Sequence, residues 1–148
     1  MFQLDGILAA KDMNLYTLAI DGDSEAIGKK YAHEFECIDI TNKNLVFEYA
    51  LKKKIDGIVS IASDVSMPAL GYVVSNLGIV GYDFNLIDSV NNKDVFFSVL
   101  DTNNIKIPKT ISFKNKLPKK VFKTKKYIIK PSKGSGSRGV SRGFRQKY

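Results

Sequence analysis

The sequence predicts an α/β fold in which a parallel sheet carries helices on both of its faces. Short apolar runs rich in strand-forming residues alternate with longer stretches in which apolar residues recur at helical spacing. Glycine, proline, aspartate and asparagine stand in the short turns between these stretches. This alternation is typical of a parallel sheet, because each parallel strand needs a crossover connection to the next one.

Three apolar runs in the N-terminal part are predicted to be strands. The run LYTLAI at 15–20 ends at an Asp-Gly-Asp turn, and the run FECIDI at 35–40 alternates between apolar and polar residues. The third run, DGIVSIAS at 56–63, is apolar for long enough to be buried on both sides, as parallel strands are. We therefore expect a buried third strand.

Helices are predicted between and after these strands. Their sequences are SEAIGKKYA at 24–32, NKNLVFEYALKKK at 42–54, SMPALGYVVSNLG at 66–78 and NNKDVFFSVLDTNN at 91–104. Asp23 or Ser24 is expected to cap the first helix, and Thr41 or Asn42 the second. The third has Pro68 near its first turn and Gly78 beyond its end, which is the usual asymmetry of helix termini.

The character of the chain changes between residues 101 and 108. KTISFK at 109–114 and KYIIKP at 126–131 are strand-like, and a short helix is predicted at 117–122. The tail from Ser132 is of low complexity and is expected to be mobile unless a ligand orders it, and its last residues read less like a strand than like a terminus. We therefore predict two domains, at 1–104 and 105–148.

The net charge of +8 is divided unevenly along the chain. Residues 1–101 hold all fifteen acidic residues and eight lysines, which gives −7, whereas residues 102–148 hold the other fifteen basic residues, which gives +15. This division predicts an anionic partner for the C-terminal third: nucleotide phosphates, nucleic acid or an acidic surface. A lysine-rich face that contacts only solvent is the alternative for the run at 114–126.

Several classes of protein are excluded by composition. The longest apolar stretches are far too short for a membrane span, and the N-terminal stretch contains Asp5 and lacks the basic start of a signal peptide. Cys37 is the only cysteine, so it forms no internal disulfide. His33 is the only histidine, which excludes mechanisms that need a histidine pair. These features predict a protein of the reducing cytoplasm.

The stretch YIIKPSKGSGSRGV, residues 127–140, joins an apolar run to a lysine and a loop of small residues. Gly134, Gly136 and Gly139 match G-x-G-x-x-G, but the helix and acidic residue of a dinucleotide-binding turn do not follow. A Walker A loop is excluded because no Gly-Lys-Ser/Thr closes the stretch, and a kinase loop because no later strand carries a lysine. What remains is Lys130 at a strand end, placed to pair with phosphate oxygens while the backbone N–H groups of 134–139 surround them.

The same stretch resembles the nucleotide-binding hairpin of the ATP-grasp superfamily. NNKDVFFSVLDTNNIKIPKT at 91–110 is similar to the segment that joins the preATP-grasp domain to the ATP-grasp domain. The stretches 19–44 and 56–81 resemble the preATP-grasp domain of the biotin carboxylase and carbamoyl phosphate synthetase-like branch. The resemblance covers nearly the whole chain. It implies a Rossmann-like preATP-grasp domain followed by the first strands of an ATP-grasp small lobe.

The resemblance also implies roles for individual residues. Lys93 and Lys130 would contact the phosphates of ATP, and Ser63 and Asp64 would face the acceptor substrate. The loop over the β- and γ-phosphates would contain Ser132, Gly134, Ser135, Gly136, Ser137, Arg138 and Gly139. ATP and Mg²⁺ are the ligands expected for the family.

Plainer interpretations exist for some of these residues. Asp64 is equally well explained as a helix N-cap, and Lys93 as a solvated helix residue. Asp21 and Asp23 fit a turn and a cap better than a site. For Lys130 and its loop, the nucleotide-binding interpretation is preferred.

Two departures from the family pattern bear on activity. The family has a first strand and a glycine-rich turn before the helix FQLDGILAAKDMNL at 2–15, and without that strand its neighbours are expected to have unpaired edges. The family also continues well beyond the loop, where the adenine pocket and the Glu and Asn ligands for Mg²⁺ lie, whereas no acidic residue follows Asp101 here. The ending SRGFRQKY suggests a shifted reading frame.

The leading hypothesis is an incomplete ATP-grasp carboxylate–amine or carboxylate–thiol ligase. It binds ATP through Lys130 and the loop and is not expected to turn over alone. It would be a gene remnant or one half of a split enzyme. One alternative is a nucleic-acid-binding module that uses the basic segment, with Tyr127, Phe144 and Tyr148 for stacking. Another is an interaction subunit whose exposed sheet edges pair with a partner or with a second copy.

Overall fold

The computed structural model describes residues 2–116, 126–134 and 136–144. The helix predicted at 117–122 lies outside these residues. The chain divides into two compact units, Met1–Asp88 and Ser89–Tyr148, which we call the first and second unit. The predicted domains at 1–104 and 105–148 refer to the architecture of the family that the sequence resembles, and they stay a prediction. The elements are α1 (Phe2–Asp12), β1 (Leu18–Asp21), a 3₁₀ turn (Ile27–Lys30), β2 (Glu34–Cys37), α2 (Lys43–Lys53), α3 (Met67–Leu77), α4 (Phe84–Asn91), α5 (Lys93–Thr102), β3 (Lys126–Ile129) and β4 (Ser141–Phe144).

The first unit contains the predicted parallel pairing. Strands β1 and β2 are parallel, with Leu18 opposite Glu34 and Asp21 opposite Cys37. The α/β class and the parallel sheet with helices are therefore confirmed. Among the described residues, no helix has the length and apolar character that a membrane crossing requires.

The core of the first unit lies between α2 and α3. Val46 and Ala50 of α2 pack with Ala69 and Val73 of α3, and Val73 is 0% exposed. Apolar residues from β1 and from 55–58 cover the same cluster, among them Ile20 and Ile58. Leu70 and Val74 of α3 form a second buried cluster with Ile87 of α4. Burial of the side chains of both clusters stabilises the unit, because apolar burial is the dominant favourable contribution to folding.

The predicted termini of α2 and α3 are largely confirmed. Asn42, not Thr41, caps α2, since its side chain accepts hydrogen bonds from the N–H groups of Asn44 and Leu45. Helix α3 ends at Gly78, which adopts φ 66°. Glycine suits that position because a left-handed backbone costs it no steric strain.

The predicted third strand is wrong. Residues 56–63 form no strand, and the sheet that contains β1 has only β2 as a second member in the described part of the chain. A strand requires a hydrogen-bonded neighbour. The apolar composition of this run indicates that it is buried, but it does not indicate that it pairs with a strand. The run also ends at a turn, because Ala62 adopts φ 54°.

The helix predicted at 24–32 is also wrong. Only one 3₁₀ turn forms, Ile27–Lys30, and its N-cap position is Ala26, which makes no side-chain cap bond. Asp21 and Asp23 each accept a hydrogen bond from the backbone N–H two residues further on, at 3.0 and 2.9 Å. These bonds form turns of the Asx type, which compete with a helix start. The interpretation of both aspartates as turn residues is consistent with this geometry.

The second unit contains α5 and an antiparallel pair, β3 and β4, with Lys126 opposite Phe144. Strand β3 confirms the prediction at 126–131, but residues 109–114 form no strand. The expectation that the chain's end does not continue as a strand is wrong at 141–144, because β4 pairs there with β3. No residue of this unit is buried within the described ranges. A hairpin of two strands is marginally stable by itself, so its contacts with α5 matter.

Candidate functional site

The glycine-rich stretch is the loop of the β3–β4 hairpin. Lys130 directly follows β3, and residues 130–140 connect the two strands. The strand pair is closely packed at Gly143, where an added Cβ would clash with the ring of Tyr127. The loop is therefore held at both ends by strand pairing.

The loop backbone adopts conformations that favour glycine. Gly134, Gly136 and Gly139 have φ values of 125°, 63° and 72°, and Ser137 between them has 57°. At Gly139 a Cβ would also lie 2.8 Å from Cγ of Pro131. The glycine positions are thus set by backbone geometry, and at Gly139 by a close approach as well.

Lys93 joins the start of α5 to this loop. Its backbone N–H donates to the carbonyl of Ser132 over 3.0 Å, and its Nζ donates to the carbonyl of Gly134 over 2.8 Å. Two bonds from one residue place a positive charge directly beside the glycine loop.

A group of polar side chains holds Ser132 against the first turn of α5. The Ser132 hydroxyl donates to Oδ2 of Asp94 and approaches Oδ1 of Asn92 at 3.2 Å. Ser112 donates to Oδ1 of Asp94 over 2.6 Å. The hydroxyls of Ser112 and then Ser132 hold the pKa of Asp94 below its ordinary value, because both donate to the ionised carboxylate.

Lys130 lies over the aromatic ring of Phe97, with Nζ 4.6 Å from the ring centroid. A cation over an aromatic face is attracted by the negative charge of that face. Helix α5 therefore contains one candidate lysine, Lys93, and contacts the other, Lys130, through Phe97.

These contacts define what the site offers chemically. Two ammonium groups, an exposed Arg138 and several backbone N–H groups in left-handed turns lie on or beside one loop. Such an arrangement suits a polyanion whose oxygens accept several hydrogen bonds. Among the described residues, no group of three or more His, Cys, Asp or Glu side chains is placed to hold a metal ion.

The structure groups most of the predicted site residues. Lys93, Ser132 and Gly134 are in direct contact, and Gly136 to Gly139 form the adjoining turn. Ser135 lies outside the described residues. Ser63 and Asp64 belong to the first unit, in the segment before α3.

The segment that holds Ser63 and Asp64 is tied to the start of α3. The carbonyl of Ser63 accepts from the Ser66 hydroxyl over 3.1 Å, and that of Asp64 from the N–H of Met67 over 3.4 Å. Ser66, not Asp64, occupies the N-cap position of α3. The interpretation of Asp64 as the helix cap is therefore wrong.

Sequence reasoning missed three residues that hold the loop: Asp94, Phe97 and Ser112. Asp94 was recognisable as an acidic residue in the first turn of α5, two positions after the cap Asn92. Phe97 and Ser112 gave no such signal, because their partners are distant in sequence.

No family model matches the chain, and no curated protein matches it. The chain is similar in fold to solved structures. Phosphoribosylglycinamide synthetase from Anaerococcus prevotii superposes with a TM-score of 0.64 at 19% identity, over 70% of this chain and 26% of that one. L-amino acid ligase from Bacillus licheniformis superposes with a TM-score of 0.71 at 16% identity, over 97% of this chain and 35% of that one.

The chain has the α/β fold of the matching part of these two ligases. The second superposition carries this conclusion because it includes both units of the chain, at a TM-score well above chance similarity. The chain spans about a quarter to a third of the length of these two ligases. At this level of identity the likeness concerns the fold alone.

Proposed function

We propose that this chain is the nucleotide-phosphate-binding part of an ATP-grasp carboxylate–amine or carboxylate–thiol ligase. The observation that carries the proposal is the contact of Lys93 Nζ with the Gly134 carbonyl, which brings a cation from α5 to the glycine loop. Lys130 supplies a second cation from the strand that leads into the same loop. The likeness in fold to two ligases supports the same assignment.

The proposed ligand is the triphosphate of ATP. Lys93 and Lys130 neutralise phosphate charge, and the loop from Ser132 to Gly139, with Arg138, covers the β- and γ-phosphates. Phosphoryl transfer in general depends on positioning and on electrostatic stabilisation of the transferred group. The residues of this chain would contribute to both.

Binding of a phosphate requires small rearrangements of the two lysines. Lys93 Nζ donates to a carbonyl and Lys130 Nζ lies over a ring, so both already have partners. A phosphate oxygen attracts an ammonium group more strongly than a neutral carbonyl does, because both partners of the new bond are charged. ATP would therefore exchange these contacts for charged ones while α5 keeps its position.

The remaining parts of the reaction are proposed to come from outside the described residues. The described part of the chain holds no metal-binding cluster, so we derive no step through Mg²⁺. The adenine pocket and the metal ligands would belong to a further ATP-grasp half. We propose that Ser63 and Asp64 face the acceptor substrate, and that the chain belongs to the biotin carboxylase and carbamoyl phosphate synthetase-like branch of the family.

Calorimetric titration with Mg·ATP tests the nucleotide site. The unaltered chain is expected to bind, and Lys130→Ala is expected to weaken binding by about tenfold or more, because a charged hydrogen bond is lost. Lys109→Ala is the matched control, since it removes one positive charge from the same unit outside the loop. Equal effects of both substitutions would show that Lys130 contributes to binding only through the net positive charge of the unit. Absence of binding by the unaltered chain would overturn the proposal.

Nucleic-acid binding is the second candidate, and charge alone favours it. The second unit carries sixteen basic residues and two acidic ones, a net charge of +14. Sequence-independent binding of this kind falls steeply with salt. A filter-binding titration with single-stranded DNA at low salt tests it, and absence of binding there would remove this candidate.

A further inference from the structure

Helix α5 carries Lys93 and Phe97 on the same face. The two residues are four positions apart, and residues at this spacing are neighbours on the surface of a helix. Lys93 contacts the hairpin loop at Ser132 and Gly134, so this face of α5 is directed toward the hairpin. Phe97 lies one turn further along α5, at an axial distance of about 6 Å from Lys93.

The ammonium groups of Lys93 and Lys130 rest at different places along this face. Lys93 Nζ lies at the carbonyl of Gly134, whereas Lys130 Nζ lies over the ring of Phe97, 4.6 Å from its centroid. One cation is therefore beside the loop, and the other is held at the next turn of α5. Like charges repel, so this separation is favourable as long as no anion neutralises them.

Neutral groups hold both lysines in this arrangement. Neither Lys93 nor Lys130 forms an ion pair with a carboxylate in the described part of the chain. Lys130 is also exposed, although its ammonium group contacts the ring. An aromatic ring attracts a cation without cancelling its charge, so this ammonium group remains available to an anion.

The ring and a phosphate group compete for the ammonium group of Lys130. The face of an aromatic ring carries negative charge, which attracts the ammonium group and repels phosphate oxygens. A phosphate that lies beside Lys93 and the loop therefore draws Lys130 away from Phe97 and toward the start of α5. A lysine can make this movement because its four-carbon stem is flexible.

We propose that the contact of Phe97 with Lys130 is autoinhibitory, because it holds the cation in a resting position that a polyphosphate has to displace. The inference rests on the proposed nucleotide site and adds a residue that regulates its affinity. A contact that stabilises only the free chain lowers the apparent affinity, so removal of the ring strengthens binding. For an exposed contact of a cation with a ring, the expected change is about two- to fivefold.

Calorimetric titration with Mg·ATP compares Phe97→Leu with the unaltered chain. Leucine keeps an apolar side chain but has no aromatic face, so binding is expected to become about two- to fivefold tighter. Phe96→Leu is the matched control, because it makes the same change at the neighbouring residue, whose ring does not lie below Lys130. Weaker binding by Phe97→Leu, or equal effects of the two substitutions, would overturn the proposal.

A doubly substituted chain shows whether the effect of Phe97 depends on Lys130. In the Lys130→Ala background the ring has no cation to hold, so Phe97→Leu is expected to change the affinity by less than about twofold. A gain in affinity that persists in this background would contradict the proposal. Failure of every chain to bind Mg·ATP would overturn the nucleotide site and this inference together, whereas binding that is indifferent to Phe97 would overturn this inference alone.

Nuclear magnetic resonance of a chain with ¹³C-labelled lysine tests the contact without a nucleotide. The ε-methylene signal of Lys130 is assigned by its absence in Lys130→Ala. It is expected to be shifted upfield, because protons above an aromatic ring are shielded by the ring current, and this shift is expected to vanish in Phe97→Leu. Mg·ATP is expected to abolish the shift in the unaltered chain. An ordinary shift in the free chain, or an upfield shift that persists in the nucleotide complex, would overturn the proposal.

Discussion

Lys93 Nζ donates a hydrogen bond of 2.8 Å to the main-chain carbonyl of Gly134, which fixes the first turn of α5 to the loop between β3 and β4. The backbone N–H of the same residue bonds to Ser132, so one residue contacts the loop at two points. A loop rich in glycine loses much conformational freedom when it is ordered. These bonds offset part of that entropy before any ligand binds.

Replacement of Lys93 tests this relationship. Lys93→Ala is expected to reduce the affinity for Mg·ATP by about tenfold or more, because one cation and one bond to the loop are lost together. Lys106→Ala removes an exposed charge of the same unit and is expected to leave the affinity within about twofold. Calorimetric titration measures both. Similar losses in the two variants would show that Lys93 acts only through net charge.

The ionisation of Asp94 is expected to make the ordering of the loop at 130–140 depend on pH. Its pKa is lowered by the hydroxyls of Ser112 and Ser132, so the folded state favours the ionised form. The resulting stabilisation is fully present above the unfolded pKa of about 3.9 and is lost as the pH falls through the lower folded value. In Asp94→Asn this pH dependence is expected to be absent. Amide exchange of 132–134 between about pH 2 and pH 5 measures it, and an unchanged profile in the variant would contradict this role of Asp94.

Two glycines of the loop are expected to differ in their tolerance of a side chain. Gly136→Ala introduces a left-handed residue without a clash, since the nearest atom to the new Cβ is Nε of Arg138 at 4.0 Å. Its expected cost is about 1–2 kcal/mol in the free energy of unfolding. Gly139→Ala adds a 2.8 Å approach to Pro131 and is expected to cost more. Chemical denaturation compares the two, and equal costs would show that the approach to Pro131 relaxes freely.

The core of the first unit is expected to be sensitive at Val73. Val73 is 0% exposed between α2 and α3, so Val73→Ala is expected to lower the free energy of unfolding by about 1.5–3 kcal/mol. Val80→Ala is the matched control, because Val80 is 95% exposed, and its expected effect is within about 0.5 kcal/mol. Urea denaturation measures both. Equal effects would mean that the α2–α3 contact is not the core.

Local signals in the sequence were enough to predict much of the fold. Helices α2 and α5 begin at a side-chain cap and α3 ends at a glycine, and these signals act within a few residues. Lys130 and the glycines of its loop were recognisable for the same reason, since a strand, a lysine and small residues follow one another directly. Helix α4 was not predicted separately, although Asp83 supports its first turn by accepting from the N–H of Leu86.

Features that depend on distant partners were not predicted. The run at 56–63 has the composition of a strand but pairs with no neighbour among the described residues, and composition does not report pairing. Strand β4 forms in a polar, glycine-containing stretch because β3 supplies its partner. The contact of Phe97 with Lys130 and the bonds of Asp94 with Ser112 and Ser132 likewise join residues far apart in sequence.

The proposed function requires ATP to bind under the loop at 130–139. Hydrogen–deuterium exchange of the chain with and without Mg·ATP measures this, because it locates the bound phosphates on the backbone. We predict that exchange slows at 134 and 136–139 and at the first turn of α5, while the amides of α2 and α3 are unchanged. Binding without protection of the loop, or protection confined to other segments, would show that the phosphates bind elsewhere.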